Sequence, residues 1–345
     1  MSAQQGPEQA VTMRDVAERL GVSTMTVSRA LRGRPGIGEE TRQRVLAEVA
    51  ALGYRPNKQA RSLRSGGPSE LVGLVVTNLA NPFYARLAIG LEEVCLRQGA
   101  RVVLGSTGGD QAVEREVVAD LLERGVDGLV VVPSGHDHSH LGGEQLRDTP
   151  VVLAAGPPMG IEADCVLVDD FGGTRAACRQ LIARGHRRIG FLGLPPSLWT
   201  GSERFRGYAV ALEEAGIALD ERYVSRHRGD SALAEETARA MLVLPDPPTA
   251  LLTANNRNTV GALRAVRAGG YPVALAGFDD IELADMLDVP LTVVSYDPAE
   301  VGRAAAALLY ERREAAAAAQ PRRVIVATTL VDHPRPRQVR DDSSF

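Results

Sequence analysis

Long apolar runs are missing from this chain. No stretch of its 345 residues reaches the roughly 18 apolar residues that a spanning helix needs, so a helical membrane protein is excluded. The opening MSAQQGPEQAV has neither the basic start nor the apolar stretch of a secretion signal, which makes cytoplasmic residence the expectation. Cysteine is scarce as well: Cys95, Cys165 and Cys178 are odd in number, widely spaced and set among apolar neighbours. That pattern suits core thiols rather than a disulfide framework or a CxxC metal site. No GxGxxG follows the first strand, and GxxxxGK[ST], GxSxG and HExxH do not occur, so the common signatures of nucleotide-binding, hydrolytic and zinc-dependent enzymes are lacking. Lysine is nearly absent, with Lys58 alone against 38 arginines, a bias that goes with a GC-rich genome.

What is present divides unevenly. Residues 1–68 hold 11 basic against 6 acidic side chains, a net of +5, whereas the remainder holds 28 against 37, a net of −9. A basic head on an acidic body is expected when only the head meets phosphate. In the head, Thr12 is an N-cap candidate, and Met13, Val16, Ala17 and Leu20 recur at helical spacing until Gly21. Ser23 caps a second stretch carrying Met25, Val27, Ala30 and Leu31, and a third helix runs from about Glu39 to Leu52. TMRDVAERLGVSTMTVSRALRG thus has helix-turn-helix spacing, whose second helix enters the major groove by its N-terminal end. Thr24, Met25 and Arg29 then face the bases, Arg29 with a fork matching guanine O6 and N7. Thr12, Ser23, Thr26 and Ser28 supply hydroxyls suited to phosphate. The plain alternative is a three-helix packing module with Arg29 a solvated charge.

A basic, weakly helical stretch dissolving into Gly, Pro and Ser follows, and reads as a hinge over 57–68. From Leu71 the chain alternates short apolar runs (LVGLVV, ARVVLG, GLVVVP, PVVLAA, RIGFLG, TALLTA, VALAGF) with amphipathic helices, the pattern of parallel sheets covered on both faces. The fold class is therefore α/β: an all-α head, then two doubly wound lobes. The expected divisions are 12–56 for the head, 71–167 plus 298–326 for one lobe, and 169–295 plus 327–333 for the other. Residues 298–319 read as an Ala-rich helix and 323–331 as a strand. His136, His138 and His140 in GHDHSH alternate like metal ligands, but the stretch reads as a polar surface loop, and neither metal nor cofactor is expected.

Together TMRDVAERLGVSTMTVSRALRG, EETRQRVLAEVAALGYRPNKQARSLRSG, VGLVVTNLANPFYARLAIGLEE, GHRRIGFLG and LAGFDDIELADML resemble the LacI/GalR family of bacterial repressors, from about Thr12 to Leu330 in order and spacing. The resemblance implies a head joined by a hinge helix to a core like that of periplasmic sugar-binding proteins. It implies a homodimer or higher assembly on a pseudo-palindromic operator in double-stranded DNA, released or recruited by a small molecule held between the lobes, a sugar or related metabolite. Leu63 occupies the place of the family's minor-groove wedge, with Asn57 and Ala60 on its helical face. Effector contacts carry over to Asn78, Phe83 and Tyr84 in the first strand-to-helix loop, to Thr200 and Arg204, to Asn255 and to Asp279; Trp199 in the loop PPSLWTGSER supplies a wall. Each has a duller reading: Tyr84 as core, Arg204 paired to Glu203 or Asp279, Asp279 capping a helix near Ile281. The chain departs from the family pattern at Met25, at Gly38, and at Ala155 and Gly156, where many relatives show an acidic and a basic residue. The last pair points to an effector less polar or larger than a simple hexose. An enzyme or a transport binding protein on the same lobes are the rival classes.

Overall fold

A computed structural model describes residues 11–31, 33, 35–54, 68–146, 149–227, 230–314 and 320–334. The chain divides into two compact units at Ser69/Glu70. The hinge residues Asn57, Ala60 and Leu63 lie outside the described residues.

The first unit holds α1 (Met13–Leu20), α2 (Thr24–Leu31) and α3 (Glu39–Ala51). Thr12 and Asp15 form a capping box at the start of α1, the Thr12 amide donating to Asp15 Oδ2 over 2.7 Å. Gly21 ends the helix in the left-handed conformation (φ 65°), letting Val22 N–H reach Ala17 O at 3.0 Å. Val16, Ala17, Val27, Ala30 and Val45 then close a small core, so the periodic apolar positions of all three helices meet on one side.

The second unit contains two six-stranded sheets wound in the same order. The first is built from β1 (Leu71–Val76), β2 (Arg101–Ser106), β3 (Leu129–Val131), β4 (Val151–Ala154), β5 (Asp164–Val168) and β11 (Arg323–Val326), in the order β2-β1-β3-β4-β5-β11. The second is built from β6 (Ile189–Gly193), β7 (Val224–Arg226), β8 (Ala250–Thr253), β9 (Ala274–Phe278), β10 (Leu291–Ser295) and β12 (Thr329–His333), in the order β7-β6-β8-β9-β10-β12. All pairings are parallel except β10 with β12. Central strands such as β4 and β8 are buried at every residue, which explains their unbroken apolar runs. Cys95, Cys165 and Cys178 are buried free thiols.

Helices α4 (Pro82–Arg97), α5 (Gln111–Glu123), α6 (Asp170–Ala183), α7 (Trp199–Glu214), α8 (Ser231–Leu242), α9 (Asn256–Gly269) and α10 (Pro298–Glu314) cover the sheets. The chain passes between the lobes after β5, after β10 and between β11 and β12. The single strand expected over 323–331 is therefore two strands, one in each sheet, with the crossing at residues 327–328. The division expected between the lobes at 326/327 falls inside the stretch that reads as one strand in the sequence. Beyond the apolar runs singled out above, β5, β7 and β10 complete the sheets; β5 is masked in sequence by its flanking aspartates.

The crossover helix α10 packs against α4 through glycines on both partners. A Cβ at Gly90 would run into the Ala299 carbonyl, and one at Gly302 into the Leu87 carbonyl. Backbone cannot yield as a side chain does, so Gly90→Ala is expected to cost about 1–3 kcal/mol of stability. Urea unfolding would show the midpoint falling; an unchanged midpoint would contradict this close approach.

Candidate functional site

In the head, α2 exposes Thr24, Met25 and Arg29 and buries Val27 and Ala30, so the three candidate base readers share a free face. Met25 is 61% exposed, unusual for a methionine without a partner surface. Ser23 Oγ accepts from Thr26 N at 3.1 Å and pairs with Thr26 Oγ1 at 2.9 Å. The Thr12 hydroxyl lies 2.8 Å from Asp15 Oδ2 as donor, so any phosphate contact from Thr12 competes with its own capping box. Ser28 is half-buried on the same helix. Gly38 begins α3 without a side-chain cap, as its lack of a hydroxyl requires.

In the second unit a cavity of about 580 Å³ opens between the lobes, at the carboxyl ends of the strands. Residues following β1, β3, β6 and β8 line it, which is the switch point of each sheet, where strand order reverses and neighbouring loops diverge. Asn78, Phe83, Tyr84, Trp199, Thr200, Arg204, Asn255 and Asp279 all border this one space. Two of their local settings differ from expectation. Phe83 and Tyr84 sit in the first turn of α4 rather than a loop, because Asn81 caps that helix two residues earlier. Trp199 is the first residue of α7, not part of a loop, and packs against the core of the first lobe. Asn255 spends its side-chain oxygen capping α9, accepting from Asn258 N at 2.8 Å.

Arg204 organises the wall contributed by the second lobe. Its Nε donates to Asp170 Oδ1 at 2.7 Å, its Nη1 donates to Ala254 O at 2.5 Å and lies 3.5 Å from Asp279 Oδ2, and its guanidinium stacks 3.6 Å over the Phe278 ring. Glu203 is not its partner; that carboxylate pairs with Arg206. Tyr296 donates to Asp279 Oδ1 at 2.8 Å, and Asp280 rather than Asp279 accepts from Ile281 N. Tyr84 meets Thr77 Oγ1 at 2.5 Å, so its ring is packed while its hydroxyl stays bonded. Burial alone would lower the Arg204 pKa, but Asp170 and Asp279 outweigh it and the guanidinium stays charged. Burial also raises the Asp170 carboxyl to about 6, Arg204 holding it back, and Asp170 Oδ2 has no partner among the described residues. Two carboxylates on one guanidinium leave an excess acid, and the most buried one holds its proton most readily. Asp170 and Tyr296 escaped the sequence reading; the doubled aspartate of VLVDDFGG was the available signal, Asp169 capping α6 while Asp170 turns inward.

The wall from the first lobe includes the GHDHSH loop, which is only in part the polar surface loop expected: His136, Asp137 and Ser139 are exposed. His138 and His140 are buried. His140 Nε2 meets Glu114 Oε1 at 3.0 Å, and Glu114, fully buried on α5, also accepts from Ser134 N. A buried carboxylate needs such partners, and it draws the loop inward. His138 Nδ1 accepts from Met159 N at 3.1 Å, and burial lowers its pKa. No group of three potential metal ligands occurs among the described residues.

A head of helix-turn-helix form and a cleft between two matched lobes find their counterpart in known proteins. Residues 12–57 match the family model for bacterial regulatory proteins of the lacI family, and residues 178–333 that for a periplasmic binding protein-like domain. The HTH-type transcriptional repressor PurR of Mannheimia succiniciproducens is 31% identical over 299 residues, 85% of this chain and 89% of that protein. The chain belongs to the LacI family. Among solved structures, a transcriptional regulator CelR–cellobiose complex is 31% identical over 94% of this chain and 99% of that one, with a TM-score of 0.68. The Lac repressor bound to ONPG in its repressed state is 25% identical over 94% and 98%, with a TM-score of 0.81. This LacI-family member is accordingly a DNA-binding transcriptional repressor with an effector-binding core, and not an enzyme.

The raised Asp170 pKa makes a pH prediction. The folded chain binds that proton below about pH 6, the unfolded chain only near 3.8, so Asp170 adds stability as pH falls from 6 towards 4 and this contribution is lost on rising through 6. Asp170→Asn cannot titrate. Relative to it, the parent should gain up to about 3 kcal/mol between pH 7 and pH 4, read from urea midpoints. Parallel profiles would refute the assignment.

Proposed function

We propose that this repressor binds a pseudo-palindromic operator as a homodimer in the cytoplasm, and that a sugar or related metabolite in the interlobe cavity controls its affinity for DNA. The observation carrying the effector half is the convergence of eight separately placed side chains on one 580 Å³ space, a size suited to a small organic ligand. Rings of Phe83 and Tyr84 offer stacking surfaces, while Asn255, Asp279 and Arg204 offer groups that match hydroxyls. For the dimer, Leu79 and, along α4, Ile89 and Leu96 expose 58%, 54% and 44% of their surface, an apolar stripe suited to a second copy.

On DNA, Thr24, Met25 and Arg29 read bases, Met25 by contact with a thymine methyl, while Ser23, Thr26 and Ser28, with Thr12 at the cost of its cap, hold phosphates. The hinge of residues 57–68 places Leu63, flanked by Asn57 and Ala60, in the minor groove as a wedge. Effector binding changes how the lobes meet and so whether paired hinges form; the two affinities are then reciprocally coupled.

Mobility-shift and anisotropy titrations on the chain's own upstream DNA test this. Arg29→Ala should cost about 1–3 kcal/mol on operator, about 5- to 150-fold in affinity, with little change on random DNA. Leu63→Ala should weaken operator binding several-fold and spare salt-sensitive non-specific binding. Equal losses on both DNAs would mean that neither residue reads or deforms the site. Operator DNA that leaves effector affinity unchanged at equilibrium would overturn the coupling.

A further inference from the structure

The two walls of the cleft are chemically unequal. The second lobe presents Thr200, Arg204, Asn255 and Asp279, a set of donors and acceptors. In the first lobe the ends of β3 and β4 present an apolar floor of Pro133, Ala155, Gly156, Pro157 and Met159, while the polar lining of that lobe includes Asn78, Asn81, His136 and His138. The bareness of the floor is built in. A Cβ at Gly156 would lie 2.8 Å from Pro133 Cγ, so no side chain fits there while Pro133 keeps its place. Ala155 holds a left-handed backbone (φ 59°), a conformation that costs about 1 kcal/mol or more in a non-glycine residue, and that turns the chain into this flat floor. The floor is also held firmly: Met159 N donates to His138 Nδ1, and Met159 Sδ lies 3.4 Å from His136 Nδ1.

Trp199 edges the same space. It starts α7 in the second lobe, yet packs on the first lobe's core, with the Arg323 guanidinium 5.9 Å from its ring centroid. Among the described residues, both arginines bordering the cavity face carboxylates, Arg204 with Asp170 and Asp279, and Arg257 with Asp230 at 3.8 Å. A phosphorylated ligand would have to displace an acid from one of them.

Resting on the reading that the effector occupies this cleft, we infer that it is a neutral conjugate: a polyhydroxylated ring held by the Arg204 wall, joined to a flat aromatic group lying on the Pro133–Gly156–Met159 floor with Trp199 at its edge. Trp199 and Met159 set the preference for the aromatic part. The ring hydroxyls and the aromatic face have separate walls, so the two halves are recognised separately. Aryl glycosides and nucleosides share this chemistry.

Calorimetric titration of the full chain against matched pairs separates them: phenyl and methyl glycosides of glucose, galactose and xylose, adenosine and free ribose, and glucose 6-phosphate. At least one aromatic member should bind tenfold or more tightly than its partner lacking the ring, and the phosphate more weakly than either. A phenyl glycoside or adenosine leading its pair tells which aromatic source applies. In Trp199→Ala that ratio should fall towards one while the methyl glycoside or free ribose binds as before; Trp199→Phe, which keeps a ring, should retain most of it, with thermal unfolding confirming that both variants fold. Equal affinity within every pair, binding by no aromatic member, or preference for the phosphate overturns the inference. Trp199 is the only tryptophan, so its emission reports occupancy of the cleft. A probe that shifts Trp199 emission without any aromatic preference defeats this inference alone. One that binds without shifting it, and binds equally well to Arg204→Met, defeats the cleft reading itself.

Discussion

A buried guanidinium shared by two carboxylates sits where the second unit is most in need of definition. Asp170 begins α6 directly after the chain leaves the first sheet at β5, and Tyr296 follows β10 directly before α10 returns to it. Arg204 touches Asp170, the carbonyl of Ala254 after β8, and Asp279 after β9, which in turn accepts from Tyr296. One side chain thus binds the ends of strands and both crossovers that frame the cleft. A buried pair of this kind gains little over an apolar core of equal volume, and losing one partner leaves an uncompensated charge at a cost of about 3–5 kcal/mol. Its value lies in specificity: hydrogen-bond directions admit one arrangement of the four strand ends, where apolar packing would tolerate several. Asp279 pays for its place with a left-handed backbone (φ 65°), tolerable for aspartate and fixed by its partners.

The opposite wall is organised by a second buried acid with a different consequence. Glu114 on α5 draws Ser134 and His140 inward, so the loop after β3 is anchored to its own lobe at both ends while His136, Asp137 and Ser139 stay exposed. Asn256 Nδ2 donates to Asn81 Oδ1 across the lobes at 2.9 Å, joining the first residue of α9 to the cap of α4. Helix ends and strand ends therefore meet at the cleft, most of their polar groups bonded within the protein, with Asp170 Oδ2 and Asn256 Oδ1 left without a partner among the described residues. A ligand entering it finds preorganised groups, and any change in lobe separation must alter contacts such as this amide pair. That is the physical basis on which a small molecule can be felt elsewhere in the unit.

How much could be read in advance follows the range of the interactions concerned. The head was legible almost to the residue, because capping boxes, left-handed glycines and short amphipathic helices are encoded within a few positions of one another: Thr12 with Asp15, Gly21 with Ala17, Val27 with Ala30. The α/β class was legible because strands buried on both faces leave continuous apolar runs. Seven of the eight cavity-lining candidates came through resemblance and Trp199 from its place in PPSLWTGSER, and their chemistry was only half visible. Arg204 was expected beside Glu203 or Asp279, but its shortest carboxylate contact is to Asp170, 34 residues away in sequence. The histidine loop was misread in part for the same reason, its buried partner Glu114 lying 26 residues before His140.

By itself the sequence determined that this chain has a basic helix-turn-helix head, two doubly wound lobes and membership of one regulator family, since each of these rests on local periodicity or on ordered motifs. Only the tertiary structure decided that α4 and α10 meet glycine to backbone, and that the ends of β3 and β4 lay an apolar floor in the cleft opposite the Arg204 cluster. Those features depend on which distant segments come into contact. Gly156 is bare because Pro133 stands beside it, and no pattern within either strand records that the two are neighbours.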